Sequence, residues 1–154
     1  MSLQIGDKAP AFTMPTDGGG EVSLAALKGR PVVLYFYPRD DTPGCTTEAC
    51  GFRDAMPDFS KVNASIIGVS KDTVAKHDKF KAKYELPFTL GADETGAVTE
   101  AYGVWVEKSM YGRKSMGIER STFLIDGAGV IRGIWRKVKV KGHVDEVLAA
   151  VKAL

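Results

Sequence analysis

The feature that most constrains the fold is the run Val32-Val33-Leu34-Tyr35-Phe36-Tyr37, closed by Pro38. It is short, unbroken by polar residues and rich in β-branched and aromatic side chains, which suits a strand buried on both faces of a sheet. Proline has no N–H to give to a ladder, so the strand must end there. A second run of this kind, Ser65-Ile66-Ile67-Gly68-Val69-Ser70, predicts a neighbouring strand. Between them a helix is expected from Pro43 to about Val62, with Thr42 as N-cap and Pro43 as the first helical residue. Pro57 should kink it or split it near Ala55-Met56.

The remaining elements follow from periodicity and turn residues. A short strand is expected near 11–14, a glycine-rich turn over 15–20, and a short helix at 24–27. Asp72 should cap a helix in which Val74, Phe80 and Tyr84 face the core while Lys76, His77, Lys79 and Lys83 form a solvated side. A strand is expected at 86–90 and a short helix at 94–101. Residues 104–119 have a mixed pattern that suits a loop or a strand plus loop. Asp126-Gly127-Ala128-Gly129 between two apolar runs predicts a hairpin of 121–125 with 130–135. The alternation Arg136-Lys137-Val138-Lys139-Val140-Lys141 reads as a strand with one wet face, and 144–152 has the apolar spacing of a last helix. The order implies an α/β chain with a mixed central sheet and helices on both faces, in one domain over 1–154.

Both cysteines of the chain, Cys45 and Cys50, follow the first buried strand. The expected helix start at Thr42-Pro43 puts Cys45 in a first turn, where free N–H groups and the helix dipole favour an anion. A thiolate is the anion at hand, so the pKa there should fall below the roughly 8.5 of a free cysteine. No cleavable leader pattern or membrane-length apolar run is seen, which predicts a cytoplasmic protein whose cysteines cycle rather than staple. The net charge of +2 and the lack of a basic, aromatic patch argue against nucleic acid. Two cysteines and two dispersed histidines make a poor metal site, so neither metal nor other cofactor is expected.

Pro38, Thr42 and Cys45 fit Pro-x-x-x-Thr-x-x-Cys, and the stretch Thr42-Pro43-Gly44-Cys45-Thr46-Thr47-Glu48-Ala49-Cys50 fits Thr-Pro-Gly-Cys-Thr-x-Glu-x-Cys. In both respects the chain resembles the peroxiredoxins, most closely the bacterioferritin comigratory protein or PrxQ-like subfamily. The likeness extends to Gly6-Asp7-Lys8-Ala9-Pro10-Ala11-Phe12 and to the segment from Met116 to Asp126, so it covers nearly the whole chain. It implies a thioredoxin-like fold and a thiol peroxidase for hydrogen peroxide and organic hydroperoxides, recycled by a thioredoxin-like or other dithiol reductant. A monomer is expected, with a dimer as the alternative.

The resemblance also assigns residues. Cys45 would attack the peroxide and Cys50 would resolve the sulfenic acid as a disulfide. Thr42 would donate to a peroxide oxygen while accepting from a backbone N–H of its own turn. Arg120, from spacing alone an ordinary surface arginine, would supply a fixed charge and donors, with Glu48 orienting it. Pro38, Pro43 and Gly44 would complete the pocket. Two other functions compete: a thioredoxin-type disulfide oxidoreductase, disfavoured because the cysteines are not spaced Cys-x-x-Cys, and a redox sensor that binds a partner when oxidised.

Overall fold

The computed structural model describes residues 2–154. The first buried run forms β3 (Val32–Phe36), preceded by a two-stranded ribbon of β1 (Thr13–Pro15) and β2 (Glu21–Ser23). Then follow α1 (Pro43–Lys61), β4 (Ser65–Ser70), α2 (Val74–Tyr84), β5 (Thr89–Ala92) and α3 (Ala97–Ala101). The chain continues through β6 (Trp105–Met110), β7 (Arg113–Ile118), β8 (Ser121–Ile125), β9 (Ile131–Trp135) and α4 (His143–Lys152). Five strands make the central sheet in the order β5-β4-β3-β8-β9. The strands β3, β4 and β5 are parallel, while β8 runs antiparallel to both β3 and β9.

Every residue of β3 is buried, and its alternation divides the core. Val33 and Tyr35 join Phe52, Phe59, Phe80, Leu124, Val147 and Val151 beneath α1, α2 and α4. Leu34 and Phe36 join Val98, Tyr102, Ile118, Phe123 and Ile131 on the opposite face, which α3 and the N-terminal segment cover. Layers on both faces are what the apolar run required. The mixed sheet flanked by helices agrees with the sequence reading.

Several local expectations are corrected. The helix α1 runs through Pro57 without a break. Pro57 is exposed, so solvent can satisfy the carbonyl one turn back that loses its donor. Thr73, not Asp72, caps α2, its Oγ1 accepting from Lys76 N at 3.2 Å. Asp72 instead accepts from Ser70 Oγ at 2.6 Å. The ambiguous 104–119 stretch is the antiparallel ribbon of β6 and β7. Residues 136–141 form no strand: Lys137 takes a left-handed φ of 48°, which interrupts an extended path.

Candidate active site

The parallel strand β3 ends at Phe36, and α1 opens at Pro43, so the intervening loop lies at the carboxyl edge of the sheet. Pairing of Phe36 with Ser121 brings the start of β8 to that same edge, and the preceding residue is Arg120. Its backbone is held there, its carbonyl accepting from Val138 N at 2.9 Å. Sheet register thereby joins two segments that sequence separates by 75 residues.

Cys45 is buried in the first turn of α1. Arg120 Nη2 donates to its Sγ at 3.3 Å, while Nη1 donates to Glu48 Oε1 at 2.7 Å. Glu48, one turn after Cys45, therefore sits on the far side of the same guanidinium. Gly44 makes room for the arrangement, because a Cβ there would lie 3.1 Å from Arg120 Nη2. Burial works against the Arg120 charge, but Glu48 and Cys45 outweigh it and raise its pKa. Burial pushes the Glu48 carboxyl up to about 7, against the pull of Arg120. Its Oε2 is enclosed without a hydrogen-bond partner among the described residues.

Thr42 stands at the N-cap position with extended backbone, but its hydroxyl does not accept from the helix. It donates to the Arg39 carbonyl at 2.9 Å, correcting both the expected side-chain cap and the expected donation to a peroxide oxygen, since the hydroxyl has one hydrogen to give. The Thr42 carbonyl takes the Thr46 N–H at 2.8 Å. The hydroxyl oxygen thus keeps its lone pairs, while the N–H groups of Gly44 and Cys45 have no carbonyl four residues earlier within the helix. Pro38 and Pro43 lie exposed at the two ends of the loop. Cys50 is half-buried farther along α1, and both cysteines are free thiols.

Three groups near this site were not found from the sequence. Lys108 on β6 runs its side chain over Gly117 of β7, where a Cβ would lie 3.2 Å from its Cδ. Burial and then Arg120 lower its pKa. His143 shares a hydrogen bond with Thr122 Oγ1 at 2.8 Å, and burial followed by Arg120 pushes its pKa down to about 4. His77, assigned to a solvated helix side, is fully buried and bonded to Asp40.

Residues 5–134 match the model of the AhpC/TSA family. The chain belongs to that family. It is 53% identical over 152 residues to the Bacillus subtilis protein named peroxiredoxin Bcp, covering 99% of this chain and 97% of that one. A cysteine-to-serine variant of Xylella fastidiosa PrxQ is similar in structure, with a TM-score of 0.94, 40% identity and coverage of 99% and 98%. A Xanthomonas campestris bacterioferritin comigratory protein, solved as trapped intermediate and ligand complexes bearing on its alkyl peroxide reduction, gives a TM-score of 0.89 and 48% identity. That match covers 92% of this chain and 90% of the other. The AhpC/TSA membership and these likenesses agree with the expected thioredoxin-like fold. Among the described residues no helix is long and apolar enough to cross a membrane.

Proposed function

We propose that this AhpC/TSA protein is a thiol peroxidase in which Cys45 attacks the peroxide and Cys50 resolves the product. The observation that carries the assignment is the Arg120 guanidinium on Cys45 Sγ at the opening of a long helix. A thiolate there gains the helix N-terminus and a charge that proton transfer cannot remove.

In the first step the Cys45 thiolate forms an S–O bond to one peroxide oxygen as the O–O bond breaks. The leaving oxygen takes the electron pair and departs as water or alcohol after picking up a proton, and Cys45 becomes a sulfenic acid. Thr42 Oγ1 accepts from the peroxide O–H while its own hydrogen stays on the Arg39 carbonyl. Arg120 and the free N–H groups of the first turn meet the negative charge growing on the leaving oxygen. Pro38 and Pro43 frame the loop that carries the site, and Gly44 leaves room for Arg120 beside the sulfur. Cys50 then attacks the sulfenic sulfur, expelling water and forming a disulfide, which a thioredoxin-like or other dithiol reduces. Glu48 acts through Arg120 by fixing its orientation.

One domain, acting as a monomer in the cytoplasm, suffices for this cycle, since both cysteines lie on one helix. The decisive assay compares peroxide consumption driven by dithiothreitol with reduction of insulin disulfides. Rapid peroxide turnover with negligible insulin reduction is expected. Insulin reduction without peroxide turnover would transfer the site to thiol-disulfide exchange.

A further inference from the structure

We propose that His77 and Asp40 are positioning residues of the peroxide-reducing site, holding its loop through a bridge that retains one proton. The proposal rests on the peroxidase assignment above and concerns groups that the mechanism does not use.

The bridge is a built feature. His77 lies on the buried side of α2, fully enclosed, and its Nδ1 is 2.6 Å from Asp40 Oδ2. Its Nε2 is 2.9 Å from the Gly91 carbonyl of β5. That carbonyl can only accept, so Nε2 carries a hydrogen. Asp40 Oδ2 also accepts when ionised, and then Nδ1 must carry one too. The fully bonded pair is therefore imidazolium with carboxylate, or neutral imidazole with carboxylic acid, and either form holds one proton more than a neutral imidazole beside a carboxylate. Loss of that proton sets two lone pairs against each other at hydrogen-bond distance.

The groups facing His77 from neighbouring elements are Tyr37 and Asp40 from the end of β3 and its loop, and Asp72 from the loop after β4. The Tyr37 hydroxyl donates to Asp40 Oδ1. Asp40 N–H donates to Asp72 Oδ2 at 2.8 Å. Burial lowers the His77 pKa, but the Asp40 hydrogen bond and charge outweigh it, with smaller support from Gly91 and Asp72, and the net direction is upward.

What the bridge holds is the approach to Cys45. Asp40 immediately precedes Asp41, whose φ of 59° is costly for a non-glycine residue and needs outside support. The same helix provides it, since Lys83 Nζ and Tyr84 Oη donate to Asp41 at 2.8 and 2.7 Å. Arg39 and Thr42 flank these two aspartates and bond to each other. The placement of the Thr42 hydroxyl and of the first turn bearing Cys45 is thus set from α2. A misplacement of about 1 Å at a reacting group can cost about a hundredfold in rate.

The test measures the single-turnover rate with hydrogen peroxide by stopped-flow fluorescence, for folded parent, Asp40→Ala, His77→Ala and Asp40→Asn proteins. Asp40→Ala and His77→Ala should be slower by about tenfold to a hundredfold near neutral pH. Asp40→Asn should recover most of the parent rate, because its amide can donate to a neutral His77 Nδ1 while its carbonyl accepts from Tyr37. The pH profile should also invert. The parent bridge loosens as its proton leaves on the alkaline side, whereas the bridge of the Asp40→Asn protein loosens as His77 protonates on the acid side. The ratio of Asp40→Asn to parent rate should therefore rise by roughly tenfold between about pH 5 and about pH 9.

A flat or falling ratio overturns the proposal, as does a folded alanine variant that reacts within about twofold of the parent. If neither alanine variant folds, the Asp40→Asn ratio alone decides. A parent that does not react with peroxide refutes the peroxidase assignment instead, which separates the two failures.

Discussion

Oxidation of Cys45 and Cys50 to an intramolecular disulfide should unwind the start of α1. Both cysteines lie within the uninterrupted helix Pro43–Lys61. Five residues of α-helix rise about 7.5 Å and turn about 140°, which puts the two Cα atoms roughly 9 Å apart. A disulfide tolerates about 4.4 to 6.8 Å. Closing the bond therefore requires loss of the helical hydrogen bonds donated by residues 46–50, beginning with Thr46 N to Thr42 O. At about 1 kcal/mol net for each of about five bonds, the opening costs roughly 5 kcal/mol, and the amides involved lose protection of three to four orders of magnitude. Gly51, directly after Cys50, and Pro57 lower the helix propensity and keep the cost in that range. Amide hydrogen exchange on the fully reduced and disulfide forms measures it. Equal protection across 46–53 in both forms would refute the unwinding.

Three further outcomes follow from the site. Arg120→Met should slow the peroxide step by about a hundredfold or more, because it removes a charge and donors from the sulfur and the leaving oxygen; an unchanged stopped-flow rate would remove Arg120 from the site. Thr42→Val should slow the same step by about tenfold, which stopped-flow kinetics will show, and an unchanged rate would remove the hydroxyl from the site. Glu48→Gln keeps an acceptor for Arg120 without a buried charge. Since Glu48 is raised from 4.5 to about 7 on folding, the folded state binds the extra proton and the parent loses stability as pH rises through that window, by about 3 kcal/mol at most. Urea unfolding should therefore show Glu48→Gln gaining on the parent between about pH 4 and pH 8, and a constant difference would contradict the burial argument.

The parts of the fold legible in the sequence are those fixed by local chemistry. A buried strand, its terminal proline and the Thr42-Pro43 helix start lie within a dozen residues, and each constrains its own neighbours. Arg120 is different. Its place beside Cys45 comes from the pairing of β3 with β8, and only the family resemblance singled it out. The burial of His77 is hidden in the sequence because Lys76, Lys79 and Lys83 around it mark a wet helix side, while its partner Asp40 lies 37 residues earlier. The β6 and β7 ribbon was ambiguous because most of β7 is exposed and lacks the alternation of a half-buried strand. The Thr42 hydroxyl is expected from the sequence to accept from its own turn and to donate to a peroxide oxygen; its bond back to the Arg39 carbonyl follows from the loop conformation, which local sequence does not specify.

The division of labour between the two cysteines is tested most directly by one equivalent of hydrogen peroxide added to the Cys50→Ser and Cys45→Ser proteins, followed by a sulfenic-acid trap and mass spectrometry. The Cys50→Ser protein should consume the peroxide in a single turnover and carry the trap on Cys45, while the Cys45→Ser protein should consume none and carry no adduct. Turnover retained without Cys45, or a trap that lands on Cys50, would contradict the assignment.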